Sequence, residues 1–120
     1  MLKRITILFV SVALSFLWGT TTFAEGSFVL KRIKERGTIN MGHRESSVPF
    51  AYIGSDGKPI GYSIDLCMKV IDAVKKEIGV SNLRINYVPV TSQTRIALMA
   101  NGTIDIECGS TTNNLTRQKQ

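Results

Sequence analysis

Histidine occurs once, tryptophan once, cysteine twice and proline three times among the 120 residues. One His and two Cys are too few for the four-ligand nitrogen and sulfur sets of structural zinc centres, and no motif spacing groups them, so no metal site is expected. There is no glycine-rich phosphate loop. No nucleophile is marked by a neighbouring base, since nothing in the spacing brings His43 to Cys67 or Cys108. The basic residues are not interleaved with aromatics along a stripe, which removes nucleic acid from the expected partners. Long apolar runs are also scarce. The one present, Ile5–Trp18, is shorter than the roughly 20 residues that cross a bilayer. What remains describes a binder of small anions better than a catalyst, with no cofactor.

The apolar run has a context. Met1-Leu2-Lys3-Arg4 forms a cationic head before it, and Thr20-Thr21-Thr22-Phe23-Ala24 places small residues after it. That three-part layout is a secretory signal peptide, with cleavage expected after about Ala24. A retained membrane tether is the competing reading. A lipid anchor has no cysteine to carry it. Residues 25–120 then make one small domain near the marginal end of the size scale. Lys3 and Arg4 are two of the fifteen Lys and Arg, so the net charge falls from +6 to +4 on their removal. A mild positive excess suits an anionic ligand and equally an ordinary surface. After export, Cys67 and Cys108 meet an oxidising compartment. They can pair with each other, remain as two buried thiols, or leave Cys108 to a cysteine beyond Gln120; the spacing does not choose.

The exported part alternates helix and strand. Ser27 is a candidate cap for a helix through Val29–Arg36, stopped by Gly37, and Thr38–Gly42 alternates as a strand. Pro49–Ile53 is a second extended stretch before the turn formers Gly54–Pro59. Ile64, Cys67, Ile71, Val74 and Ile78 recur at spacings of three and four, which predicts a helix capped by Ser63 and ended by Gly79. Leu83–Val90 reads as a strand. Thr91-Ser92 would cap a further helix through Ile96, Leu98 and Met99, stopped at Asn101-Gly102, and Ile104–Cys108 is a last strand. Such an order gives an α/β fold with a mainly parallel sheet and right-handed crossovers. Ligands of these sheets sit at the carboxyl ends of the strands, so residues 43–47, 91–95 and 109–117 should share one rim.

Three arginines fall on that rim. Arg117 follows the hydroxyl-rich Ser110-Thr111-Thr112, where a planar guanidinium and loop hydroxyls can hold a carboxylate in two parallel hydrogen bonds. Its plainer reading is a solvated basic tail with Lys119. Arg44, directly after a strand, is a second anion clamp or a surface ion pair with Glu45. Arg95 lies one turn into a helix that Ser92 would cap, so an anion there would meet backbone N–H groups, the Ser92 hydroxyl and the guanidinium together. An exposed Arg on a plainly capped helix competes with that. His43 reads as a structural residue at a strand end. Phe50, Tyr52 and Tyr62 serve equally as pocket walls or core.

Four stretches carry a resemblance: residues 42–50 (Gly-His-Arg-Glu-Ser-Ser-Val-Pro-Phe), 61–66 (Gly-Tyr-Ser-Ile-Asp-Leu), 89–96 (Pro-Val-Thr-Ser-Gln-Thr-Arg-Ile) and the Asn-Gly-Thr-Ile-Asp-Ile-Glu-Cys-Gly-Ser-Thr-Thr-Asn-Asn run at 101–114. Together they closely resemble the periplasmic glutamate/aspartate-binding proteins of ABC importers, over about Leu30 to Gln120. The resemblance implies a lobe of the two-lobed, type II periplasmic-binding-protein fold, incomplete because the second lobe is absent. It also implies a monomeric periplasmic carrier that hands glutamate or aspartate to an inner-membrane ABC permease. Arg117, Ser110 and Thr112 would hold the α-carboxylate and α-amino end of the ligand; Arg44, Ser92 and Arg95 would hold its side-chain carboxylate. The polar stretch 109–120 ends the chain with no element after it, which reads as a fold cut midway. Residues 25–120 alone are then expected to bind glutamate poorly, their half-site being open to screening water. An inactive truncated product is one alternative. A cyclic-acid dehydratase of the same fold is another, and would need an acidic group against its substrate.

Overall fold

Thr38–His43 forms strand β1, buried along nearly its whole length, the pattern of a central strand covered on both sides. The computed structural model describes residues 25–119, so the expected signal peptide, residues 1–24, lies outside the described residues. Helix α1 (Glu25–Arg36) precedes β1. Strands β2 (Ser46–Ser47), β3 (Ala51–Ile53) and β4 (Pro59–Ile60) follow, then helix α2 (Tyr62–Ile78), strand β5 (Arg84–Pro89), helix α3 (Arg95–Ala100) and strand β6 (Ile106–Cys108). A short 3₁₀ turn, Arg117–Lys119, comes last.

The principal sheet is parallel, in the order β5-β1-β6, with Thr38 opposite Arg84 and His43 opposite both Pro89 and Cys108. The alternation of strands and helices predicted this arrangement, because a parallel neighbour needs a crossover. The expected extended stretch at Pro49–Ile53 joins a different sheet. There β3 pairs antiparallel with β2 and β4, around the Gly54–Lys58 turn.

The core forms where the two long helices meet β1. Ile33 of α1, Ile39 and Met41 of β1, and Ile64, Cys67, Ile71 and Ile78 of α2 make one buried cluster that also takes in Ala51 and Cys108. The three- and four-residue spacing in α2 therefore marks its buried face as expected. Each such aliphatic side chain contributes about 1.5–3 kcal/mol by leaving water. Cys67 and Cys108 are joined in a disulfide, 41 residues apart. This settles the choice the spacing left open, since the face of α2 that carries Cys67 packs against the end of β6.

Three helix starts differ from the sequence-based expectation. Ser27 lies inside α1 rather than before it. Helix α2 begins at Tyr62 with Gly61 as its N-cap, and Ser63 Oγ donates to the Gly109 carbonyl at 2.7 Å. A tertiary acceptor has displaced the local cap. Gly61 has φ +127°, and a Cβ there would lie 2.5 Å from the Phe50 carbonyl oxygen, so the tight passage from β4 into α2 requires glycine. Helix α3 starts at Arg95 rather than directly after a Thr91-Ser92 cap. Thr91 Oγ1 instead accepts the N–H groups of Gln93 and Thr94, a turn of its own that delays the helix.

A buried carboxylate ties α1 to the sheet. The Asp105 side chain is fully buried; it accepts from Arg32 Nη2 and from the Asn40 N–H, each at 2.8 Å, and from Arg36 Nη2. Arg36 also donates to the Thr38 carbonyl. Asp105 thus serves packing at the α1 end of β1, away from the rim.

Candidate functional site

Because β1, β5 and β6 are parallel and in register, their carboxyl ends at His43, Pro89 and Cys108 lie side by side. The residues that follow them, Arg44, the 91–95 turn and the 109–117 loop, are carried to one rim by the sheet alone. The order of elements foretold this convergence.

Arg44 is half-buried and donates from Nη1 to Ser92 Oγ at 2.8 Å. Among the described residues its contact is therefore across the rim and not an ion pair with Glu45. Arg117 is half-buried too. Its Nη1 donates to the Thr112 carbonyl at 3.0 Å, and its backbone N–H is held by Asn114 Oδ1 at 2.9 Å, so it is folded back into the loop rather than solvated with Lys119. Arg95 is the most deeply placed of the three, with only 6% of its surface exposed. It stands at the first residue of α3, not one turn in, and α3 has six residues with no side chain capping it. The expected anion seat made of a Ser92 cap and a helix N-terminus is thus not what forms: Ser92 is committed to Arg44.

Arg95, Thr112 and Arg117 line one cavity of about 330 Å³, with Glu107, Ile96 and Met99 among its other walls. Thr112 also belongs to a neighbouring cleft of about 460 Å³, which Ser63, Ser110, Phe50 and Tyr62 share. Ser110 is additionally within hydrogen-bond reach of Ser47, Oγ to Oγ 3.4 Å. The two hollows meet at the Thr111-Thr112 step, so four of the six candidate residues fall into two linked groups. Arg95, Thr112 and Arg117 surround the first hollow, and Ser110 with Thr112 the second. Arg44 and Ser92 are held to each other beside them, Arg44 passing close to Gly109.

His43 is 3% exposed, on β1, with its ring edge-on to Tyr87 at 6.1 Å between centroids. It is buried at the strand end, where the sequence placed it. Tyr62 and Phe50 are wall residues, 61% and 43% exposed.

The sequence reading saw no acidic group in the site. Glu107 is one. It sits at the centre of β6, its carboxylate largely buried, with Oε1 3.9 Å from Arg95 Nη1 in the wall of the 330 Å³ cavity. Strand alternation could have placed it: with Cys108 turned into the core, Glu107 must face the opposite side of the sheet, the side of α3. Arg95 Nε and Nη1, Glu107 Oε1 and Thr111 Oγ1 are buried with no hydrogen-bond partner among the described residues. Four polar atoms without protein partners are thus concentrated around one hollow, where a polar molecule or water would satisfy groups that each cost about 1–3 kcal/mol unpaired.

The chain matches the family model described as bacterial extracellular solute-binding proteins, family 3, over residues 39–120. It is 64% identical to the L-glutamate/L-aspartate-binding protein of Pseudomonas aeruginosa over 76% of this chain and 30% of that protein. It is 52% identical to the glutamate/aspartate import solute-binding protein of Escherichia coli over 81% of this chain and 32% of that protein. Among solved structures it is similar to an ancestral cyclohexadienyl dehydratase, with 32% identity, a TM-score of 0.60, and coverage of 76% of this chain and 35% of the other. The chain spans about a third of the length of the curated relatives it matches. Its fold is that of the type II periplasmic binding proteins.

Proposed function

Because the chain belongs to family 3 of the bacterial extracellular solute-binding proteins, we propose that it captures glutamate or aspartate outside the inner membrane and delivers it to an ABC importer. The observation that carries this reading is the cationic half-site. Arg95 and Arg117 face one cavity with Thr112, and Arg44 is braced beside it by Ser92. A ligand with two carboxylates needs two cationic clamps, and the arrangement offers them at separate places on one rim. Arg117, Ser110 and Thr112 take the α-carboxylate and α-amino end, and Arg44, Ser92 and Arg95 the side-chain carboxylate. Export fits the same reading, with a signal peptide removed after about Ala24, a periplasmic carrier, and a monomer docking on an inner-membrane permease. The names of the two relatives above, which bind or import glutamate and aspartate, support it.

Calorimetric titration of the full natural protein with L-glutamate, L-aspartate and L-glutamine tests it. The two dicarboxylates should bind at least about tenfold tighter than glutamine, a difference of about 1.4 kcal/mol. Arg117→Ala should cost about a hundredfold in affinity for all three, because a partner of a charge-assisted pair is lost. Absence of binding by both dicarboxylates would remove the proposal.

The role proposed is binding and not catalysis. One observation favours a second reading, a dehydratase acting on a cyclic dicarboxylic acid: Glu107 places an acidic group in the cavity, where such an enzyme would need one. Its ion pair with Arg95 suits a binding site better, since the carboxylate is engaged as a counter-charge. Incubation with a prephenate-like acid should give no turnover, and conversion would decide for the enzyme.

A further inference from the structure

Glu107 and Arg95 make an incomplete pair. Arg95 is 6% exposed, and a guanidinium that deep in protein needs a counter-charge, which costs several kcal/mol to omit. Glu107 is the carboxylate within reach, yet at 3.9 Å it is too far for a normal hydrogen bond. It therefore offsets the charge of Arg95 without using its donors. Nε and Nη1 of Arg95 and Oε1 of Glu107 have no hydrogen-bond partners among the described residues, and both side chains line the 330 Å³ cavity. The main chain makes room for this. A Cβ at position 109 would collide with the Glu107 carboxylate and lie 2.9 Å from Arg44 Cγ, so the absence of a side chain there leaves room for the acid and Arg44 to approach each other.

From this juxtaposition we infer that Glu107 is a specificity-determining residue, an internal counter-anion for Arg95 that limits how strongly the site prefers a dicarboxylate over its amide. The inference rests on the proposed binding of acidic amino acids, with the side-chain carboxylate at Arg95. In the empty lobe Glu107 stabilises the buried guanidinium. When a ligand carboxylate takes the free Arg95 donors, the Glu107 charge remains beside it and opposes it. A ligand amide is neutral and meets no such opposition. Glu107 thus trades part of the discrimination for a stable empty site, and removing its charge should shift the balance toward the dicarboxylate.

The test is titration of the full natural protein, wild type and Glu107→Gln, with L-glutamate and L-glutamine. The glutamate-over-glutamine preference should rise about tenfold in E107Q, while the ligand-free variant melts at a lower temperature. Should E107Q not fold, Glu107→Asp, which draws the charge one methylene back from the guanidinium, is read on the same ratio, with a smaller rise expected. A ratio that stays the same or falls in the folded variant overturns the inference while leaving the binding proposal intact. A wild type that binds no glutamate overturns the binding proposal itself, and the inference with it.

Discussion

Reduction of the Cys67–Cys108 bond should remove a large part of the stability of this domain. The bond joins residues 41 apart in sequence. In the chain-entropy treatment, closing a loop of that length lowers the entropy of the unfolded chain by an amount worth about 4 kcal/mol at 25 °C. Both cysteines are core residues, 8% and 1% exposed, and the reduced thiols can stay where they are. The loss therefore comes from the unfolded state and not from repacking. For a domain whose whole stability is about 5–15 kcal/mol, a change of that size is decisive. With a urea slope of about 2 kcal/mol/M, the unfolding midpoint should fall by about 2 M on adding dithiothreitol. Cys108 is also the residue before the 109–117 loop, so the same bond anchors the strand end from which Ser110, Thr112 and Arg117 are presented. The assay is equilibrium urea unfolding, followed by circular dichroism, of protein purified without reductant, with and without dithiothreitol. Alkylation under denaturing conditions gives the thiol count of each sample. A midpoint shift below about 0.3 M in a sample shown to be fully oxidised beforehand would refute the reasoning, as would two free thiols before any reductant is added.

Asp105→Asn should destabilise the protein by about 2–4 kcal/mol, read from the same urea transition. The variant removes the counter-charge of Arg32 and Arg36 and turns one of the two accepting oxygens into an amide donor facing their N–H groups. The cost stays below that of a wholly buried pair because both arginine side chains keep about a third of their surface in water, 32% and 34%. Gly109→Ala should lower glutamate affinity at least tenfold while costing less than about 2 kcal/mol of stability. Its methyl group must push aside the Glu107 carboxylate and the Arg44 stem, and calorimetry beside thermal melting separates the two effects. Wild-type affinity in the alanine variant would show that the convergence around position 109 is unimportant for binding.

The chain's periodicities were enough for the framework. The apolar repeat from Ile64 to Ile78 named the buried face of α2, because a helix has to hide one stripe whatever it packs against. Alternating strands and helices implied a parallel sheet, since strands joined by helices return in the same direction. That direction put Arg44, Arg95 and Arg117 on a single rim before any contact was known. Local caps were less legible: Ser63 and Ser92 have the right chemistry for helix starts, yet a carbonyl at Gly109 and a guanidinium at Arg44 claimed them. Both partners are more than forty residues away in sequence, and competition of that kind leaves no local trace. The same holds for Cys67 with Cys108 and for Asp105 with two arginines of α1, which read as separate features until the layers are stacked. Glu107 was the most consequential omission. Its charge looked like that of any strand residue, and only the burial of Arg95 opposite it made that charge part of the site. Sequence decided which elements form and at which end of the sheet function gathers, because periodicity and chain direction are local properties. The tertiary structure decided which polar groups are satisfied and which are left without a protein partner, because that depends on neighbours brought together only by folding.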